Sequence, residues 1–386
     1  MRVCLAYDCL FPHTIGGGER WYRNLAERLA SEGHDVTYLT LRQWERGEHA
    51  QIDERVRVVT VGPRMALYTT SGRRRILPPI VFGLGVLVHL LRSGRRYEVL
   101  QTPSFPYFSL LAAGAVRPLL GFELVVDWFE VWSRSYWRDY LGGVGGRVGA
   151  LAQRLCARVR QRAFCFSELH AARLRDEGLR GPVMVLRGLY TGLAEPVQTR
   201  EADPLVLFVG RLIPEKQATL GVAAIARVAA GIEGLHGEFL GDGPDRAALD
   251  TAIAEHGLSE VISAPGFADA ETVDREMRRA LCMLLPSRRE GYGMVVVEAA
   301  ARGTPSVVVA GEDNAATELI EEGVNGTVAP QADAESIASA IVRVNEAGIG
   351  MRRRTAEWFT ANAEKLSIEH SLRQVLETYR EYSARS

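Results

Sequence analysis

The stretch EGYGMVVVE places two carboxylates, Glu290 and Glu298, on either side of a loop that contains two glycines. Glycine lets a backbone approach a ligand closely, and the following VVVEAAAR is typical of a buried helix that ends near Gly303. Backbone N–H groups at the start of a helix attract oxygens with negative charge. We therefore expect Gly291, Tyr292, Gly293 and Met294 to offer backbone donors to a phosphate or a sugar. The plainer alternative is a helix entry with two solvated glutamates.

A second motif upstream carries positive charge. In LVLFVGRLIPEK an apolar strand ends at Gly210 and is followed by Arg211 and Lys216. Ligands of open α/β sheets bind at the carboxyl ends of strands, and a guanidinium together with an ammonium suits a diphosphate. The sequence contains 44 arginines but only two lysines, Lys216 and Lys365, so a lysine at this place is unusual for this chain. The alternative is an exposed pair that balances Glu215.

These motifs occur in a familiar order. GRLIPEK, LGDGP, GFADAE and EGYGMVVVE follow one another, and the first part of the chain reads LAYDCLFPHTIGGGERWYRNLAERLASEGHDVTYLT. In this respect the chain resembles the retaining glycosyltransferases of family four. The resemblance covers nearly the whole chain and is more specific in its second half. It implies a GT-B fold, which is an α/β architecture of two Rossmann-like parallel-sheet domains facing a central cleft.

The resemblance also implies roles for single residues. Arg211 and Lys216 would bind and stabilise the diphosphate of a nucleotide-diphosphate sugar, Glu298 would hold the ribose, and Glu290 would contact the transferred sugar as a third catalytic residue. Further donor-binding positions would be Gly17, Gly18, Gly210, Gly241, Gly243 and Phe267, along with the backbone of 291–294. Phe267 would border the base, although a phenylalanine at a strand end is commonly part of a core.

One departure from the family lies in ELVVDWFEVW. Many relatives carry a histidine that points at the transferred sugar, where this chain has Phe129. Asp127 and Glu130 are then the nearby candidates for contact with an acceptor or sugar hydroxyl. The alternative is that the aromatic residues around them pack and Glu130 is solvated.

The family's transfer needs no metal and no cofactor other than the sugar nucleotide, which is a co-substrate. The sequence has no paired aspartates after a strand and no zinc-type cluster that would suggest a metal site. A nucleotide-sugar epimerase or a phosphorylase of the same fold, or a binding protein without turnover, are the alternatives. The base, the sugar and the hydroxyl acceptor, whether glycan, lipid-linked or small molecule, are not specified by any motif.

Length and pattern predict two domains. Strand and helix patterns alternate through 386 residues, and periodicity is lost between Leu189 and Pro204. We predict an acceptor-side domain at 1–190, a nucleotide-sugar domain at 204–365, and a helix at 366–386 that packs back on the first domain. Five cysteines without CxxC spacing and an N-terminus that reads as a strand predict a cytoplasmic protein with reduced thiols.

Charge is divided unevenly between the halves. Residues 1–195 carry 27 arginines and 18 acids, whereas residues 196–386 carry 19 basic and 29 acidic residues. Arginines cluster at 73–75, at 92–96 and in a predicted helix at 147–162, where Arg154, Arg158 and Arg162 would share one face. Peripheral contact with an anionic membrane is one interpretation and a solvated basic face is the other. The apolar run at 76–91 is too short for a membrane span, and no motif indicates nucleic-acid binding.

Overall fold

The structure is a computed structural model that describes residues 1–45, 47–67, 69, 74–192 and 199–383. The described chain divides into two compact units. The first contains residues 1–69, 74–189 and 368–383, and the second contains residues 190–192 and 199–367. Arg73 and the middle of the predicted linker, residues 193–198, lie outside the described residues.

The first unit is built on a parallel sheet. Its described strands are β1 (Arg2–Ala6), β2 (Asp35–Leu41), β3 (Val56–Gly62), β4 (Val99–Pro103), β5 (Glu123–Trp128), β6 (Arg162–Cys165) and β7 (Val183–Val185), in the order β3-β2-β1-β4-β5-β6-β7. The connecting helices are α1 (Gly17–Ser31), α2 (Leu77–Ser93), α3 (Phe108–Leu120), α4 (Arg134–Ala157) and α5 (Glu168–Asp176).

The second unit repeats this plan. Its strands are β8 (Leu205–Val209), β9 (His236–Leu240), β10 (Ile262–Gly266), β11 (Cys282–Leu285), β12 (Arg289–Glu290), β13 (Ser306–Val309), β14 (Asp313–Asn314) and β15 (Gly326–Ala329). Six of them form a parallel sheet in the order β10-β9-β8-β11-β13-β15, and β12 pairs with β14. The helices are α6 (Ala218–Val228), α7 (Arg246–Glu255), α8 (Ala270–Arg279), α9 (Met294–Ala300) and α10 (Ala334–Leu366).

The strands are apolar because helices cover both faces of each sheet. Residues 205–208 of β8 are all fully buried, and so are residues 282–284 of β11. A parallel sheet that is covered on both sides needs continuous apolar runs rather than alternating ones. Such runs predict strands at 205–209, 282–285 and 306–309, and these coincide with β8, β11 and β13.

The last helix, α11 (Ile368–Ser383), packs within the first unit. The Tyr379 hydroxyl hydrogen-bonds Gln101 on β4, and Ser371 Oγ accepts a hydrogen bond of 2.9 Å from the Gly188 N–H. Arg380 also forms an ion pair of 3.1 Å with Glu32. The chain therefore returns to its first unit after completing the second.

Two predictions about helices were wrong. The helix predicted at 147–162 begins at Arg134 and ends at Ala157, so Arg162 lies in β6, where it pairs with Glu123 at 3.1 Å rather than sharing a face with Arg154. The apolar run at 76–91 continues through a 3-10 turn. Among the described residues, there is one helical segment, Leu77–Arg96, whose length and composition would allow it to cross a membrane. Within this segment, 39% of the most apolar stretch is buried in the unit.

Candidate active site

The candidate site of the second unit lies along the carboxyl ends of four adjacent strands, β10, β9, β8 and β11. The loops that leave these strands continue the sheet's hydrogen bonding. Leu212 N–H donates to Asp242 O at 2.9 Å, and Gly241 N–H donates to Gly266 O at 2.8 Å. The loops are therefore held side by side, and the predicted residues that follow these strands share one edge of the sheet.

Gly241 and Gly243 are required for this close approach. Their φ angles are +145° and +157°, which L side chains rarely adopt. A Cβ at either position would also collide with a carbonyl oxygen of the neighbouring loop, that of Gly210 or that of Leu212. Both glycines that LGDGP supplies are thus explained by backbone contact with the loop that carries Arg211.

Lys216 and Glu290 are brought together by the fold. Lys216 ends a 3-10 turn at Pro214–Lys216, and its Nζ lies 2.5 Å from Glu290 Oε1 on β12. Both side chains are largely buried, with 20% and 11% of their surface exposed. The aliphatic part of the Lys216 side chain also packs beside Gly210. Its Cε lies 4.0 Å from the position that a Cβ on Gly210 would occupy. The ammonium is thereby held at the end of β8 with its charge balanced by one carboxylate.

Arg211 differs from Lys216 because it is exposed. Within the described part of the chain its guanidinium makes no hydrogen bond or ion pair. A guanidinium without an acid partner among the described residues and an ammonium, both on the segment that follows β8, favour an anion at this edge of the sheet.

Glu290 is positioned by residues that the sequence analysis missed. β12 pairs with β14, which sets Glu290 opposite Asn314. The Asn314 side chain donates to Ser287 O at 2.9 Å and to Val309 O at 2.8 Å, so it ties the loop after β11 to the end of β13. The available signal was weak: Asn314 comes five residues after the end of the apolar strand β13, and a buried amide there can bridge backbone groups.

The glycine loop between Glu290 and α9 is more enclosed than predicted. Tyr292 and Gly293 are buried, whereas Gly291 and Met294 are partly accessible. Gly293 has φ +101°, and a Cβ there would lie 2.7 Å from Ala316 Cβ. Gly293 therefore has a structural reason to be glycine, independent of any ligand.

We expect Gly293→Ala to lower the free energy of unfolding by about 1–3 kcal/mol, because it adds both a strained φ and a clash. Denaturant unfolding of the purified variant measures this change. Gly323→Ala is a suitable control, since Gly323 also has a positive φ of 74° but nothing within 4 Å of its Cβ position. Equal losses in both variants would show that the clash with Ala316 contributes nothing.

Glu298 lies in the second turn of α9 and is partly buried. Its carbonyl accepts a hydrogen bond of 2.7 Å from Arg302, which also pairs with Asp274 at 2.8 Å. These contacts fix the helix on which the carboxylate is carried. The assignment of Glu298 to a ribose remains a prediction.

Phe267 is 83% exposed at the end of β10. The alternative that it belongs to the core is therefore wrong. A large aromatic ring that is left in solvent beside Gly241 and Gly266 is available to stack on a flat ligand.

The predicted positions of the first unit are arranged differently. Gly17 and Gly18 begin α1, and a Cβ on Gly18 would lie 3.3 Å from the Phe129 ring. Phe129 stacks on Phe166 with ring centroids 4.8 Å apart. The buried Glu19 carboxylate folds back over Gly16, so a negative charge already occupies this helix end and disfavours a phosphate there.

Asp127 is not available to an acceptor or a sugar, and that prediction was wrong. Its side chain is fully buried. Gln101 Nε2 donates to its two oxygens at 2.9 and 2.7 Å, and Trp21 Nε1 donates at 3.3 Å. Burial raises the Asp127 pKa to about 6, although the Gln101 and Trp21 hydrogen bonds act in the opposite direction. Glu130 remains partly exposed and accepts a hydrogen bond of 2.6 Å from Trp132 Nε1.

The raised Asp127 pKa predicts a pH dependence of stability. The folded state binds the Asp127 proton more tightly than the unfolded state does. The resulting stabilisation of the folded state is complete below about pH 4 and is lost as pH rises through 6. Because of this residue, we expect the free energy of unfolding to fall by about 1 kcal/mol when the pH is raised from 5 to 7. Denaturant unfolding of wild type and Asp127→Asn at both pH values measures it. If the free energy of unfolding of Asp127→Asn falls between the two pH values as much as that of wild type, Asp127 is not the source of the pH dependence.

Comparison with known proteins agrees with these two units. The model of the glycosyl transferase 4-like domain matches residues 16–188, and the model of glycosyl transferases group 1 matches residues 193–365. The structure is similar to sucrose-phosphate synthase from Thermosynechococcus elongatus, with a TM-score of 0.77, 19% identity and full coverage of both chains. It is also similar to HepE from Anabaena in complex with UDP, with a TM-score of 0.71, 16% identity, 99% of this chain and 100% of that chain.

Among curated proteins, the chain is 31% identical over 179 residues to alpha-D-kanosaminyltransferase from Streptomyces kanamyceticus, which covers 46% of each chain. It is 30% identical over 196 residues to D-inositol 3-phosphate glycosyltransferase from Nocardioides, which covers 50% of this chain and 41% of the relative. The chain spans about half the length of the curated relatives it matches. The two domain models together cover most of the chain, and the chain belongs to the glycosyltransferases with the GT-B fold.

Proposed function

We propose that the chain is a retaining glycosyltransferase that transfers a sugar from a nucleotide-diphosphate donor to a hydroxyl acceptor. The observation that carries the proposal is that the exposed guanidinium of Arg211 and the Lys216–Glu290 pair both follow β8. Glu215, which lies between the two cations in sequence, has its carboxylate 4.0 Å from the Arg289 guanidinium. A diphosphate at this edge would therefore meet Arg211 and Lys216. The sugar nucleotide is the co-substrate, and the proposal requires no metal.

The proposed order of groups follows the order of the strands. Phe267 after β10 would stack on the base, Arg211 and Lys216 after β8 would hold the diphosphate, and Glu290 after β11 would meet the sugar. Glu298 would accept hydrogen bonds from the ribose hydroxyls. A nucleotide-diphosphate sugar is an extended molecule, so its parts suit successive strand ends of one sheet.

The two cations would act mainly in the transition state. When the bond between the sugar and the diphosphate breaks, negative charge builds on the departing phosphate and positive charge builds on the sugar. Cations fixed in advance stabilise that charge more than they stabilise the bound donor, and this difference accelerates the reaction. In the proposed retaining transfer, the acceptor hydroxyl attacks the face that the phosphate leaves, and its proton passes to the phosphate oxygen.

A ligand screen followed by product analysis tests the proposal. We expect one nucleotide diphosphate, and more strongly its sugar, to raise the Tm, because a ligand that binds only the folded state stabilises it by mass action. UDP is a reasonable first compound since the similar HepE structure contains it. NMR of the product then reports whether the anomeric configuration of the donor is kept. Inversion of configuration would contradict the retaining part of the proposal.

The same assays separate the alternatives. An epimerase would convert the sugar nucleotide without any acceptor, and a phosphorylase would consume inorganic phosphate. A binding protein without turnover would show the shift in Tm but release no nucleotide diphosphate during long incubation with a panel of hydroxyl acceptors. No shift with any sugar nucleotide would contradict the proposed donor site itself.

Phe267→Ala should weaken donor binding about 5- to 150-fold and leave kcat nearly unchanged, since base–aromatic stacking contributes about 1–3 kcal/mol and is present before and during transfer. Because the ring is 83% exposed, its loss should not lower the Tm. Titration of wild type and variant with the best nucleotide from the screen measures the effect. Phe267→Tyr is the control that keeps the ring, and equal weakening by both substitutions would contradict stacking.

A further inference from the structure

A cavity in the first unit has no part in the site described above. It is formed by α4, which is a hairpin of two arms because Gly142 breaks the helix with φ +77° and ψ −178°. The second arm packs tightly on the first. A Cβ on Gly146 would lie 2.7 Å from Arg138 Cα, and one on Gly149 would collide with the Trp137 ring. The glycines of residues 142–149 therefore allow the two arms to enclose a space.

This cavity has a volume of about 410 Å³, and four of its nine lining residues are arginines. Arg134 and Arg138 come from the first arm, and Arg147 and Arg154 come from the second. Glu177 is the single acid among the lining residues. Among the residues that line the cavity, four thus carry a positive charge and one carries a negative charge.

Several other arginines of this unit are paired with acids. Arg117 and Arg162, for example, both bind Glu123. By contrast, the four cavity arginines have no side-chain hydrogen bond or ion pair within the described part of the chain, and Arg154 Nε is buried without a partner. Like charges held close together repel each other, and an anion in the cavity would relieve this repulsion and supply the missing acceptors. Phosphate oxygens suit guanidinium groups because the two match in charge and in geometry.

An apolar stripe runs beside the cavity along the same hairpin. It consists of Leu141, Val144, Val148, Leu151 and Leu155, whose exposed fractions range from 45% to 78%. They recur every three or four residues, so the members of the second arm lie on one side of the helix. Leu151 belongs both to the stripe and to the cavity lining. A ligand that fills the cavity and also contacts the stripe must therefore be anionic at one end and apolar at the other.

Neighbouring helices extend this apolar surface. The connections that contain α2, α3 and α4 all advance in the same direction along the sheet, so the right-handed crossover rule puts the three helices on one side of it. Exposed apolar side chains occur on each of the other two helices: Leu77, Leu84, Val88 and Leu91 on α2, and Phe108, Leu111 and Leu119 on α3. Exposed apolar side chains on three helices of one side of the sheet favour contact with something other than water.

We propose that this face of the first unit docks on an anionic membrane, with the phosphate of a lipid headgroup in the arginine cavity and the apolar stripe in the acyl boundary. Charge complementarity favours a lipid over a second copy of the chain, because two copies joined along the stripe would bring two arginine clusters together. A free phosphate ion would satisfy the arginines but would leave the stripe exposed. The proposal does not depend on the donor site, which lies in the other unit.

Flotation with vesicles tests the proposal. Wild type should float with vesicles of phosphatidylcholine containing phosphatidylglycerol, and remain in solution with phosphatidylcholine alone. Arg138→Gln/Arg147→Gln should weaken partitioning roughly 30-fold, since each arginine near an anionic surface contributes about five-fold. Both residues are exposed, so the fold should be retained, and an unchanged Tm verifies this. Val148→Asn/Leu155→Asn should also reduce flotation.

The matched control for charge is Arg20→Gln/Arg380→Gln, which removes the same charge from exposed arginines on α1 and α11, the helices on the other side of the sheet. It should change partitioning no more than about two-fold, and Ile15→Asn serves as the control for an exposed apolar residue. Equal losses in the cavity and charge-control variants would overturn the cavity's role. Tm shifts with inorganic phosphate but no vesicle binding, or dimers that dissociate when the stripe is substituted, would overturn membrane docking.

Discussion

Replacing Lys216 with alanine should lower kcat for sugar transfer about 10²- to 10³-fold and change donor affinity less. The ammonium would stabilise charge that develops on the departing diphosphate, and removing one preorganised donor of this kind typically has an effect of that size. Lys365→Ala is the natural control, because Lys365 is the only other lysine in the sequence and is exposed on α10. Steady-state rates with the donor from the ligand screen measure the difference.

The ion pair with Glu290 introduces a second explanation for such a loss. Lys216→Ala leaves a largely buried carboxylate without its partner, and that uncompensated charge alone could repel the donor or distort the loop. Comparing the double variant Lys216→Ala/Glu290→Gln with Glu290→Gln alone distinguishes the two causes, because Glu290 is itself expected to contact the sugar. If the stranded carboxylate were responsible, removing Lys216 would have no further effect once Glu290 is replaced. We expect the double variant to be much less active than Glu290→Gln, and a loss in Lys216→Ala no larger than in Lys365→Ala would remove Lys216 from the proposed mechanism.

The sequence was most informative where local chemistry determines local structure. The strands were predictable because a parallel sheet covered on both sides leaves long apolar runs such as LVLFV. The positions of Arg211 and Lys216 near the end of β8 followed from the same run. Gly241 and Gly243 were also predictable as places of close approach, although only the structure shows that they approach the loop carrying Arg211.

Two of the failures depend on partners that are distant in the chain, and the third depends on where a helix ends. Asp127 seemed accessible because nothing near it in sequence reveals that Gln101 and Trp21 enclose it. The pairing of Glu290 with Asn314 joins two strands of two residues each, which are too short to leave a pattern. Arg162 appeared to continue a helical repeat because a spacing of four is compatible with a helix that has already ended.

The charge division between the halves illustrates the same limit. Composition correctly indicated that the first half carries excess arginine. It did not indicate that four arginines from the two arms of α4 meet in one cavity, since Arg134 and Arg138 preceded the segment that was predicted as a helix. The break at Gly142 brings them to Arg147 and Arg154, and glycine-rich segments such as LGGVGG do not show by themselves which way the chain turns.

Arg211→Ala should reduce kcat/KM for the donor about 10²-fold while leaving the Tm unchanged. The residue is exposed and, in the described chain, bonds to nothing, so its removal takes no contact from the fold. A diphosphate, however, would lose a fork of two charge-assisted hydrogen bonds. Arg211→Lys should recover only part of the loss, because an ammonium restores the charge but not the planar fork. Thermal shift and steady-state kinetics on the same preparations measure both quantities.

Arg353→Ala is the matched control, since Arg353 is also an exposed arginine of the second unit, on α10. A general loss of positive charge would lower kcat/KM equally in both variants, because long-range attraction of an anionic donor depends on net charge rather than on position. Contact with the diphosphate would instead confine the effect to Arg211 and make it persist at high salt. Equal losses in the two variants, or a loss at Arg211 that disappears at 0.5 M salt, would therefore leave Arg211 with a steering role and remove it from the proposed diphosphate site.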